Sequence, residues 1–248
     1  MSGTQQAKST AGEQYDRWYS GQDYYWGKAP SKSCDRVLEF IKPTAEFRPR
    51  LIDLGCGEGR NAVYFAKHGF DVVGLDVSPV GLEKMERLAE EAGVQVRAIQ
   101  ADVIRYELTD TYDVIFSTGT LQYLPTEIRP QRFKNYKEHT SQSGVNAFSA
   151  FVKKPFIPKA PDPAGNEIPY TSGELMGYYW DWEIVYSTEE IFDCMSSGIP
   201  HKHAMDRIIA RRYGTNARDE TDAHLIPDTI TQSGTSNPDV VSSPLCRS

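Results

Sequence analysis

Short apolar runs alternate along the chain with longer stretches in which apolar residues return every three or four positions. This is the pattern of strands and amphipathic helices in turn. Cys34 to Ile41 predicts a leading helix, and Leu51 to Leu54 a short strand running into Gly55, Gly57 and Gly59. Arg60 to Lys67 predicts a helix closed near Gly69, and Val72 to Val77 a second strand. Ser78 and Pro79 suit the start of the next helix, because the hydroxyl caps free N–H groups and proline fits the first turn. Met85, Leu88, Ala89 and Ala92 line one face of that helix, and Gly93 stops it. Val94, Val96 and Ala98 alternate as a third strand leading to Asp102. Tyr112 to Phe116 and Val145 to Val152 predict a fourth and a fifth, with a basic amphipathic helix between them. Arg129, Arg132, Lys134 and Lys137 on that helix read as a solvated face. A proline-rich connection and a helix near Ser172 to Tyr179 precede two extended runs, Trp182 to Tyr186, reaching toward Cys194, and Lys202 to Arg212. The turn Ser196-Ser197-Gly198 between them is too short for a crossover, so the last strand should run opposite to the rest. The fold class is therefore α/β, a Rossmann-like, mostly parallel sheet with an antiparallel last strand.

Composition marks the two ends of the chain. Residues 1–12 are small and polar and read as a disordered N-terminus; the aromatic cap Tyr15, Trp18, Tyr19, Tyr24, Tyr25 and Trp26 follows. Residues 214–248, rich in Thr, Ser, Asp and Pro, read as a disordered tail, leaving 13–213 as one domain. With 39% hydrophobic and 25% charged residues, the 248-residue chain is of ordinary globular composition. No apolar run approaches the roughly 18 to 20 residues that cross a bilayer, and no secretory pattern opens the sequence; we expect a cytoplasmic protein without a membrane partner. The net charge of −7 and the lack of a basic cluster argue against nucleic acid as a partner. Four scattered cysteines offer no C-x-x-C pair.

The candidate chemistry starts at Asp53-Leu54-Gly55-Cys56-Gly57-Glu58-Gly59-Arg60, between a strand and a helix. Glycines there let the backbone turn sharply and approach a ligand. Asp76 ends the next strand, placed for a ribose diol, and Asp102 ends the third, facing an adenine edge. The dinucleotide fingerprint counted from Gly55 requires a third glycine where Arg60 stands, which weakens a nicotinamide cofactor. Asp53 ahead of the glycines repels a pyrophosphate and favours a cationic, phosphate-free ligand such as S-adenosylmethionine.

These stretches, DLGCGEGR at 53–60, GLDVS at 74–78, Asp102 with Val103, and YDVIFS at 112–117, resemble the successive motifs of class I S-adenosylmethionine-dependent methyltransferases. Within that superfamily, GEGRNAVYFAKHGFDVVGLDVSPVGLEKM and STGTLQYLP are most similar to the tellurite-resistance, TehB-like group. The resemblance implies a seven-stranded sheet with a reversed last strand and S-adenosylmethionine as cofactor. It implies that Asp53, Gly55, Cys56, Gly57 and Gly59 hold the methionine part, Asp76 with Val77 the ribose, and Asp102 with Val103 the adenine. Ser117, with Thr118, would line the floor below the methyl group, and Tyr25 and Trp26 would close over the sulfonium, which aromatic faces attract.

Methyl transfer aligns two reactants and excludes water, so a base is compulsory only for hard acceptors. His201 and His203, two apart on one strand face, are the catalytic candidates, either as general base or as oxyanion binder. A purely structural role is the alternative. A metal site, with Cys194 across the turn, lacks a third firm ligand, and we expect none. The expected function is methyl transfer to a small-molecule acceptor, a soft nucleophile such as a thiol or a chalcogen oxyanion like tellurite. An O- or N-methyltransferase, an NAD(P)-dependent oxidoreductase and a non-catalytic S-adenosylmethionine-binding protein are the competing readings.

Overall fold

The computed structural model describes residues 10–161, 167–195 and 198–213. The expected tail lies outside the described residues, as do residues 1–9. The first helix, α1 (Thr10–Tyr19), starts inside the segment expected to be disordered. Then follow α2 (Lys32–Phe40), β1 (Arg50–Leu54), α3 (Arg60–Lys67), β2 (Asp71–Asp76), α4 (Pro79–Glu91), β3 (Arg97–Gln100) and β4 (Tyr112–Thr118). The chain continues through α5 (Arg129–Glu138), β5 (Thr140–Val152), the single turn α6 (Glu174–Gly177), β6 (Glu183–Cys194) and β7 (His201–Arg211).

The strands form one sheet in the order β3-β2-β1-β4-β5-β7-β6. Neighbours from β3 to β5 pair in parallel, and β7 is antiparallel to both β5 and β6. The expected seven strands and the reversed last strand are both present. Alternation along each strand supplies two cores: Leu51, Val72, Val114 and Phe116 pack with Phe65 and Met85 on one face, while Ile52, Val73 and Ile115 pack with Phe133 and Tyr179 on the other.

Two local predictions needed correction. The third strand starts at Arg97 rather than Val94, because Val94 belongs to the end of α4. Gly93 takes φ +68°, its N–H donates to Glu90 O at 3.0 Å, and the Val94 N–H reaches back to Ala89 O at 3.0 Å, a Schellman closure. Two of the four basic residues of α5 are not on a solvated face: Arg129 and Arg132 are buried, while Lys134 is exposed as expected. Arg129 Nε donates to Leu124 O at 3.0 Å, Nη2 donates to Ile168 O, and Nη1 pairs with Glu174 at 2.8 Å. Arg132 donates to the carbonyls of Tyr106 and Ile104 at 3.1 and 2.9 Å. Loops that pass under a helix leave carbonyls without helical partners, and a guanidinium satisfies several at once.

The aromatic cluster Tyr178, Tyr179, Trp180 and Trp182 lies outside the crevice of the strand ends. Tyr179 is core, its hydroxyl accepting from Asn146 Nδ2 at 2.9 Å, and Trp180 is 84% exposed. Among the described residues no helix is long and apolar enough to cross a membrane.

Candidate functional site

A cavity of about 730 Å3 opens along the carboxyl ends of the strands, where an open α/β sheet offers its crevice. At one end lies the turn after β1. Gly57, at φ +54°, turns its missing side chain toward α1, where a Cβ would come within 2.9 Å of the Tyr19 hydroxyl. Only glycine lets turn and helix meet this closely. Gly55, Cys56 and Gly57 line the cavity, as do Asp76 with Val77 and Asp102 with Val103. Tyr25 and Trp26 line it from above, and His203 stands at its far end.

Four candidates are placed elsewhere. Asp53 is 1% exposed behind the turn, not on the wall. Gly59, also off the wall, lies against Met85, whose Cγ a Cβ there would meet at 2.3 Å, so this glycine lets the start of α3 pack on α4. Ser117 points away from the cavity and donates to Leu54 O at 2.7 Å, while Thr118, on the opposite face of the same strand, lines it. His201 stands behind His203, with the two Nε2 atoms 2.9 Å apart.

The electrostatics at the glycine-turn end favour a cation. Asp53 has no hydrogen-bond partner for either carboxylate oxygen among the described residues. Burial, aided by the nearby Asp76 carboxylate, pushes it up to about 8. Asp76 Oδ2 accepts from Gly57 N at 2.8 Å and Oδ1 from Ser78 N at 2.9 Å. Burial raises Asp76 to about 6 against the pull of these backbone N–H groups. Asp102 Oδ1 accepts from Ile104 N at 2.9 Å, which leaves its other oxygen to a ligand. The Asp76 and Asp102 carboxyls on the wall repel phosphate and suit a phosphate-free nucleoside carrying positive charge. Such a ligand would give the orphaned Asp53 a counter-charge, and the residues fit it.

Several contributors escaped the sequence reading. Glu58, inside the glycine turn and buried, pairs with buried Lys84 at 2.8 Å and accepts from Trp26 N at 3.3 Å. Lys84 also donates to Asp23 O at 2.6 Å, and Arg60 to Trp26 O at 3.1 Å. Together they strap the aromatic segment to the turn. No local pattern hinted at this: Glu58 stands between two glycines, and Lys84 between Glu83 and Met85. Tyr15, Tyr123 and Glu167 form a second chain on the wall, Tyr15 Oη to Tyr123 Oη at 2.9 Å and Tyr123 Oη donating to Glu167 at 3.2 Å. Burial raises both phenols, so they act as neutral donors. At the hairpin end Phe151, Phe192, Cys194 and Arg207 join His203, with Arg207 paired to Glu190 at 2.7 Å. The two antiparallel registers bring these together, and no contiguous motif announced them.

Comparison with known proteins gives the family and the fold. A family model described as "Tellurite resistance protein TehB" matches residues 18–199. A probable S-adenosyl-L-methionine-dependent methyltransferase TehB of Haemophilus influenzae is 30% identical over 142 residues, 57% of this chain and 49% of that protein. The crystal structure of TehB from Haemophilus influenzae superposes with a TM-score of 0.66 at 25% identity, covering 81% of this chain and 66% of that one. Magnesium protoporphyrin IX methyltransferase from Synechocystis, solved with bound SAM, shares the fold at 16% identity, with a TM-score of 0.56 over 83% of this chain and 92% of its own. The chain spans about half the length of the curated TehB relatives it matches.

Proposed function

The chain belongs to the TehB family, and we propose that it is an S-adenosylmethionine-dependent methyltransferase acting on a small, soft nucleophile, a thiol or a chalcogen oxyanion such as tellurite. The observation that carries this reading is the single cavity joining the glycine turn, Asp76 and Asp102 at one end to His203, Cys194 and Arg207 at the other. Donor and acceptor chemistry then face each other across one space. S-adenosylmethionine, when bound, supplies a methyl on a sulfonium already activated for displacement.

The protein's own work is binding, alignment and exclusion of water. Asp76 accepts the ribose hydroxyls with the lone pairs that Gly57 and Ser78 leave, and Asp102 with Val103 holds the adenine. The backbone of Gly55 to Gly57 cradles the amino-acid part. Asp53, behind the turn and pushed up to about 8 by burial, does not reach the wall; a bound ammonium would draw it into its charged form and be favoured by that charge at a distance. Tyr19, Tyr25 and Trp26 close the site from above, their faces favouring a cation and shielding it from solvent. Arg207 and His203 offer positive charge and a donor to an anionic acceptor.

A second reading, an oxygen or nitrogen acceptor with His203 as general base, draws on the placement of His203 on the wall with His201 behind it at 2.9 Å. A panel with labelled methyl donor separates the two. Turnover of thiols or chalcogen oxyanions supports the soft-nucleophile reading; turnover of phenols or amines alone overturns it in favour of the second.

A further inference from the structure

At the tip of the β6–β7 hairpin, Cys194 and His201 are register partners, and His203 follows on the same strand face. Cys194 Sγ and one nitrogen of each imidazole lie within 4.8 Å of one another. The hairpin thus supplies the third ligand whose lack led the sequence reading to set a metal aside. Orientation adds a second observation. His201 Nδ1 lies 2.7 Å from Ile199 O, and a carbonyl only accepts, so in the neutral ring Nδ1 carries the proton and Nε2 presents a lone pair. Metal-binding histidines are held this way, with the spare N–H turned to a carbonyl. The His203 ring is fixed by stacking on Phe151 at 4.6 Å and 29°, with Phe192 against it at 5.9 Å. Tetrahedral zinc bonds to nitrogen and sulfur place ligand atoms about 3.3 to 3.7 Å apart. The imidazole pair, now at 2.9 Å, reaches that spacing by opening slightly.

We propose that Cys194, His201 and His203 bind a borderline-soft divalent cation of the Zn2+ type through one sulfur and two nitrogens. Cys194 and His203 face the cavity, so the fourth position opens into it, the three-ligand arrangement of sites that bind an exchangeable group. Binding releases the Cys194 thiol proton to solvent and moves the His203 proton from Nε2 to Nδ1. The open position suits the acceptor's sulfur, and this role, unlike the site itself, rests on the methyl-transfer reading. A thiol coordinated there loses its proton to water. Its sulfur lone pair then forms the new bond to the methyl carbon, while the electrons of the donor's carbon–sulfur bond return to the donor sulfur and neutralise it.

Full-length protein stripped with a chelator and titrated with Co2+ should take up one equivalent, with a sulfur-to-cobalt charge-transfer band in the near ultraviolet and four-coordinate ligand-field bands, all displaced by Zn2+. Cys194→Ser should abolish the charge-transfer band, and His201→Gln and His203→Gln should each weaken binding by about tenfold or more. Circular dichroism reports whether each variant is folded. In the unaltered protein Zn2+ should slow alkylation of Cys194, mapped by mass spectrometry. Substoichiometric binding, a charge-transfer band that persists in Cys194→Ser, or unprotected Cys194 overturns the site. With the site intact, a thiol acceptor that shifts the cobalt bands supports the assigned role, and unshifted bands overturn that role. Intact metal binding in a chain that methylates nothing overturns the enzymatic reading and leaves the site standing.

Discussion

At the glycine-turn end of the cavity the turn and the two wall acids each follow their own parallel strand, Gly55 to Gly57 after β1, Asp76 at the end of β2 and Asp102 beyond β3. At the hairpin end Phe151, Phe192, Cys194, His203 and Arg207 meet only through the antiparallel registers of β5, β6 and β7. The first end is written in contiguous sequence, each group adjacent to the strand that delivers it. The second depends on which residues of distant segments stand side by side. On the proposed reading, such a fold can keep its donor chemistry fixed while a substitution or slip in one hairpin changes what receives the methyl group. Variants at the two ends should separate donor affinity from acceptor handling.

The strongest challenge to that separation is Gly57→Val. A β-branched residue at φ +54°, with its Cβ 2.9 Å from the Tyr19 hydroxyl, should cost on the order of a hundredfold in S-adenosylhomocysteine affinity by calorimetry, about 3 kcal/mol. Near-normal affinity would mean the turn is not where the nucleoside is gripped. Asp76→Ala should weaken the same ligand by about 1 to 3 kcal/mol through lost ribose bonds, with the acceptor KM little changed. An equal loss in both parameters would erase the distinction between the ends.

Asp53→Asn tests the buried charge behind the turn. The Asp53 carboxyl titrates near 8 when folded and near 3.9 unfolded, so between about pH 4 and pH 8 the native chain binds the extra proton and stability falls as pH rises. The amide should flatten that dependence and stabilise the ligand-free protein by about 1 to 3 kcal/mol at pH 8, read by urea unfolding. Nucleoside affinity should drop about threefold to tenfold, up to about 1.4 kcal/mol. A destabilised amide variant would show that Asp53 has a partner the structure does not reveal. Arg207→Gln should have the smallest effect on the nucleoside, within about twofold or about 0.4 kcal/mol, while raising the KM of an anionic acceptor about tenfold. A matching fall in donor affinity would join the two ends after all.

The same division explains what could be read from the sequence. The strand–glycine turn–helix unit, the acids closing β2 and β3, and the reversed last strand followed from spacing and a short turn. The orientation of single residues did not. Ser117 and Thr118 differ only in which face of β4 they occupy, and a one-residue uncertainty in strand phase exchanges them. Val94 alternates like a strand residue yet serves the helix terminus, because its N–H is taken by Ala89. Arg129 and Arg132 look like a solvated face until the carbonyls they satisfy are in place, and those of Ile168, Tyr106 and Ile104 lie 39, 26 and 28 residues away in sequence. Cys194 meets His201 only through hairpin register.

The strap through Glu58, Lys84, Arg60 and Trp26 has a kinetic consequence. On the proposed methyl-transfer reading, the loop that would cradle the nucleoside also fastens the cover above it, so the spent cofactor would leave only when those contacts loosen, and its departure would be a local opening event rather than simple diffusion. The ceiling on turnover would then be set by an ion pair remote from the reacting carbon, and weakening it would quicken product escape while admitting water.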